Sequence, residues 1–187
     1  MEQLNPELDK YLKSGDKNAL KNHLKTQSVS AEQLEVLIRE ICAWDLEIEW
    51  VETICSAVVL EPKVVEAMID CGLLVGELLV STGQEVLPVY LQSASDTDAL
   101  NDPLRSLLEY GEFSEEQMNA ALSNTVRRYN FEGVWLLLQA GANPQSISEE
   151  LLRDLEEKIC SDYSEAAATY LLIKPGQLPF TPLEKMK

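Results

Sequence analysis

The chain has 187 residues, 45% of them hydrophobic and 25% charged, which excludes a disordered polymer and allows a buried core without disulfide or metal staples. Its 15 Lys and Arg face 32 Asp and Glu, a net charge of −17 that repels nucleic acid and anionic membrane and speeds encounter with a basic protein. The excess is concentrated, because residues 31–115 carry 18 acids and three bases, whereas residues 1–30 carry five Lys against four acids.

In chain order, residues 1–30 read as basic N-terminal helices, with the single histidine, His23, among lysines on a surface helix. A helix follows in which Leu34, Leu37, Ile38 and Ile41 recur at spacings of three and four. A second helix is expected over 45–59, with Ile48, Val51, Cys55 and Val58 as its core-facing stripe. "VVEAMIDCG" then closes at Gly72. Residues 73–103 fit no clear register, interrupted by Gly76, Gly83 and Pro88, and "PLRSLLEYG" closes at Gly111. Beyond it, helices are expected to start after Ser114 and Ser148, each followed by a partner, at 131–140 and 164–173. Strand-like alternation is nearly absent, so the fold class is all-α, with roughly eleven short helices.

Three segments share one beginning: "VSAEQL" from Val29, "FSEEQM" from Phe113 and "ISEELL" from Ile147. Ser30, Ser114 and Ser148 are expected N-caps, and Glu32, Glu116 and Glu150 then sit in the first turn, where the helix dipole favours an anion. The preceding apolar residue can staple back onto the helix. Gly72, Gly111 and Gly141 fit the left-handed residue that ends a helix.

These units are helix–loop–helix pairs near the ~33-residue ankyrin period, though their spacing is uneven. "FEGVWLLLQAGANP", residues 131–144, resembles the second helix and turn of an ankyrin repeat through Leu137, Leu138, Gly141, Asn143 and Pro144. The resemblance is clear over 113–173 and weaker elsewhere, and the family's Thr-Pro-Leu-His entry is replaced by Ser-x-Glu. It implies a short, degenerate ankyrin-like solenoid of antiparallel helix pairs. The expected organisation is one helical-repeat domain over 1–187: basic helices at 1–30, acidic irregular repeats at 31–112, the clearest repeats at 113–175 and a polar tail at 176–187.

Little supports chemistry. With one histidine there is no obvious nucleophile–base arrangement, and no Gly-rich phosphate loop occurs. Asp96, Asp98 and Asp102 loosely follow calcium-loop spacing, but the sixth position is Asn101 and the twelfth is Leu107. The cysteines at 42, 55, 71 and 160 form no CxxC pair and read as free thiols in a reducing compartment rather than disulfides. Apolar runs such as 78–80 and 134–138 are too short to span a bilayer, and the N-terminus lacks a signal-peptide core, so a cytoplasmic monomer is expected. No enzyme, cofactor or metal is expected.

Surface recognition remains. In "AWDLEIEWVE" the stripe leaves Trp44 or Trp50 partly free beside Asp45, Glu47, Glu49 and Glu52, a composition suited to a basic partner. The alternative is that both tryptophans fill the core. A second acidic stretch supplies Asp96, Asp98, Asp102, Glu109, Tyr110 and Glu112, or else is an ordinary polar loop and exposed helix face. The leading expectation is a non-enzymatic protein-binding module, in sharper form a bacterial immunity protein neutralising a basic, nuclease-like toxin. An ankyrin-like adaptor or secreted effector acting on a host protein, and a regulatory domain of a larger protein, are the alternatives.

Overall fold

The computed structural model describes residues 3–96, 101–161 and 165–174 of the chain. Among these residues it is all-helical, with twelve α-helices, one 3-10 turn and no strand. The chain packs as two compact units that divide between Glu112 and Phe113.

The first unit contains α1 (Pro6–Ser14), α2 (Lys17–Thr26), α3 (Ala31–Ala43), α4 (Glu49–Cys55), α5 (Pro62–Asp70), α6 (Val75–Ser81), α7 (Pro88–Asp96) and α8 (Asp102–Tyr110). Side-chain caps start the early helices: Asn5 accepts from Glu7 N–H at 2.9 Å, Asp16 from Ala19 N–H at 2.8 Å and Ser30 from Gln33 N–H at 3.3 Å. Odd-numbered helices stack in one row, α1 on α3 on α5 on α7, and even-numbered helices in another, α2 on α4 on α6 on α8. The rows bury Leu8, Leu37, Ile38, Ile54, Met68 and Leu107 almost completely, each burial stabilising by about 1.5–3 kcal/mol.

The second unit contains α9 (Glu115–Arg127), α10 (Phe131–Gln139), a 3-10 turn (Pro144–Ser146), α11 (Glu149–Ser161) and α12 (Glu165–Ile173). Here α9 packs on α10 and α11, and α12 on α10 and α11. Ser114 and Gln117 form a reciprocal capping box, and Ser148 accepts from Leu151 N–H at 3.2 Å. All three serines expected to cap helices do so.

Several expectations change. The helix expected from residue 45 begins only at Glu49, because Asp45, at φ 52°, closes α3 instead. Asp45 N–H donates to Cys42 C=O and Leu46 N–H to Ile41 C=O, the paired bonds of a Schellman ending. Gly72 (φ 77°) and Gly141 (φ 104°) end helices in the left-handed region as expected. Gly111 does not: its φ of −103° and ψ of 153° carry the chain extended toward the Ser114 cap. Residues 73–103, which gave no register, contain α6 and α7. Gly76 is buried inside α6, and Pro88 opens α7 at a position that needs no N–H.

Candidate functional site

The stretch from Trp44 to Glu52 joins α3 to α4. The late start of α4 decides which side chains it buries. Trp50, Val51, Ile54 and Cys55 face inward, and Ile48, expected in the core, lies outside the helix at 44% exposure. Trp50 is 4% exposed and Trp44 is 44% exposed, so of these two Trp44 is the one that meets solvent.

The carboxylates of this stretch divide into two sets. Glu47 Oε2 accepts from Lys17 Nζ at 2.6 Å, Glu49 Oε2 lies 3.8 Å from the same nitrogen, and Lys17 sits 5.8 Å from the Trp50 ring centroid. The Lys17 ammonium holds the Glu47 carboxyl below its ordinary range, and Glu47 raises Lys17 in return. Asp45 is exposed at the end of α3, and Glu52 projects from α4 into an open groove.

That groove has a volume of about 400 Å³ and lies among α4, the turn after α5, and α6. Ile48, Leu73, Leu74 and Leu78 line it with apolar atoms, and Glu52 and Glu77 with carboxylates. Leu74, at 46% exposure, is as open as Ile48. A neighbouring depression of about 360 Å³ shares Glu52 and Ser81 and adds Lys21, Glu49, Thr53, Ser56 and Thr82. Leu74 and Glu77 were missed by sequence reasoning because they belong to the stretch that gave no register.

Of the second acidic stretch, Asp98 lies outside the described residues. Asp96 is exposed, and Asp102 is half-buried with Oδ1 3.7 Å from Arg105. Glu109, Tyr110 and Glu112 are exposed. The charges of Glu109 and Glu77 raise the Tyr110 phenol above its ordinary value. Glu77 therefore both lines the groove and lies within electrostatic reach of Tyr110.

Elsewhere, His23 is more covered than expected, its side chain 12% exposed against Tyr11 at a ring separation of 5.5 Å, with Nδ1 3.7 Å from Glu7. In the second unit a depression of about 430 Å³ is lined by Arg127 and Arg153 as well as Glu150, Asp154 and Glu157, so its acids are largely offset by bases. Among the described residues, no group of three His, Cys, Asp or Glu side chains could hold a metal ion, and no helix is long and apolar enough to cross a membrane.

No known protein family, curated protein or solved structure matches the chain. The site must be read from its own geometry.

Proposed function

We propose that the protein is a non-enzymatic binding module whose acidic, apolar groove takes a basic segment of another protein. The observation that carries this reading is the pairing of exposed Ile48 and Leu74 with Glu52 and Glu77 around one groove. An apolar floor gives affinity by excluding water, and carboxylates at its edge favour Lys or Arg side chains and reject acidic ones. Exposed Trp44, three residues beyond Ile41, the last buried side chain of α3, adds the kind of aromatic surface that anchors interfaces.

The row-on-row stacking of short helix pairs supports reading each unit as part of a degenerate, ankyrin-like solenoid, an architecture that generally presents a recognition surface. The sharper form of the proposal is a cytoplasmic immunity protein, monomeric by itself, that neutralises a basic nuclease-like toxin. The concentration of 18 acids against three bases in residues 31–115 supports it, since a nuclease attracts its own substrate with the opposite charge.

The test uses the wild-type chain and a Glu52→Lys/Glu77→Lys variant as baits in lysate of the native host, eluted in steps of rising salt. The expected result is one basic protein, released at high salt and absent from the variant, whose toxicity on expression is relieved by co-expressing the wild-type chain. Several partners captured equally by both baits would overturn the groove reading and favour an adaptor.

A further inference from the structure

Two cysteines that are 29 residues apart in sequence meet in the fold. Cys42 lies in the last turn of α3, and Cys71 is the residue that closes α5. Those helices are neighbours in the odd-numbered row, and their C-terminal ends are tied by Arg39 Nη2, which donates to Asp70 Oδ2 at 2.9 Å. One and two turns before that pair on α3, and at the start of α5, Lys63 Nζ reaches Glu35 at 3.5 Å and Glu32 at 3.1 Å, so the register of the two helices is fixed along their length. Both thiols are free and only half-buried, whereas Cys55 is fully covered. Cys42 lies one turn beyond Arg39 and Cys71 directly follows Asp70, so this ion pair sets the two side chains at one seam, and the Arg39 charge bears on both thiols.

We propose that Cys42 and Cys71 form a reversible dithiol–disulfide site, in which Cys71 is the attacking sulfur and Cys42 the resolving one. The surroundings support this division of roles. Hydrogen bonding from Cys42 and the Arg39 charge bring the Cys71 thiol down to about 7, and hydrogen bonding together with burial pushes Cys42 up. Burial, with a smaller push from the Glu52 charge, raises the Cys55 thiol to about 12, which leaves it inert.

The oxidant is of the peroxide class. The Cys71 thiolate attacks one peroxide oxygen, the O–O bond breaks, and hydroxide leaves and is protonated, giving a sulfenic acid on Cys71. The Cys42 sulfur then attacks Cys71, its proton and the sulfenic hydroxyl depart as water, and the S–S bond forms. Two thiols and one hydrogen peroxide become one disulfide and two waters. A thiol reductant reverses the step by exchange.

The test treats the folded, reduced full chain with stoichiometric hydrogen peroxide, caps remaining thiols with iodoacetamide, and maps peptides without reduction. The expected product is an intramolecular Cys42–Cys71 cross-link, reversed by dithiothreitol. Before oxidation, Cys71 should alkylate at least about tenfold faster than Cys55 at neutral pH. A variant carrying Cys55→Ser and Cys160→Ser should cross-link as the wild type does, and Cys42→Ser should leave Cys71 as a sulfenic acid captured by dimedone. The proposal fails if both thiols remain alkylatable after oxidation. It also fails if the disulfide forms between chains, or if Cys71 proceeds to sulfinic acid with Cys42 still free.

Discussion

Gly76 approaches the backbone of Ser106 so closely that a Cβ on residue 76 would lie 2.2 Å from the Ser106 carbonyl oxygen. The same crossing is secured by the Ser106 hydroxyl, which accepts from Glu77 N–H at 3.1 Å. No side-chain motion relieves a clash with backbone, so Gly76→Ala should force α6 away from α8. The expected cost is about 1–3 kcal/mol, read as a lower urea midpoint. An unchanged midpoint would mean the helices are not this close.

Asp45 occupies a left-handed conformation that a side chain resists, even one as tolerant as aspartate. Asp45→Gly should therefore raise stability by roughly 0.5–1 kcal/mol, net of the greater freedom that glycine gives the unfolded chain. Chemical denaturation of the two proteins side by side measures the difference, and a loss of stability would show that the aspartate makes a compensating contact.

The two tryptophans of one short stretch should behave oppositely. Trp50→Ala empties a buried site and should cost about 3–5 kcal/mol, whereas Trp44→Ala should change stability by no more than about 0.5 kcal/mol. If Trp44 anchors a partner, its loss appears in affinity alone, measured by titration calorimetry once the partner is in hand.

Gln84 satisfies three backbone groups left open where α4 ends: its amide donates to Cys55 C=O at 2.8 Å and Val58 C=O at 2.7 Å, and its oxygen accepts from Leu60 N–H at 3.3 Å. Gln84→Leu keeps much of the volume but strands these groups in a partly buried place. A loss of about 1–3 kcal/mol is expected, together with faster amide hydrogen exchange at Leu60. Gln84→Glu should cost at least as much, because the carboxylate keeps the acceptor for Leu60 but sets a negative charge against the Cys55 and Val58 carbonyl oxygens.

The pairing of Lys17 with Glu47 makes a pH prediction. Glu47 titrates below its ordinary value of 4.5 in the folded state, so its contribution to stability is complete above that value and is lost as pH falls through the lowered one. Lys17→Met should remove this contribution and flatten the acid side of the stability profile below about pH 4.5. Both groups are exposed, so the effect at neutral pH is small. An acid limb identical in the two proteins would show that the ion pair does not form in solution.

How far the fold was legible depended on how local its causes were. Ser30, Ser114 and Ser148 could be read as caps because a cap needs only a hydroxyl and an amide three residues on. Ile48 was misassigned, and Trp44 and Trp50 could not be told apart, because the stripe of α4 depends on where that helix begins, and Asp45 delays its start through a backbone conformation that carries no strong sequence signal. Gly76 was taken for an interruption, yet its missing side chain serves the approach of a helix some thirty residues further on. The groove was invisible for a related reason. Ile48, Glu52, Leu74 and Glu77 come from three segments whose proximity arises only when α4 and α6 stack.

The two-row stacking of the first unit also bears on how the chain reaches its structure. Its cross-helix bonds join residues at nearly constant separations: 30 from Lys17 to Glu47, 31 from Arg39 to Asp70, 26 from Val58 to Gln84 and 29 from Glu77 to Ser106. None of these bonds has to close a long loop before it forms, which keeps the entropic barrier low and nearly the same for every layer. Folding in this unit can begin at any adjacent pair of layers and spread in both directions.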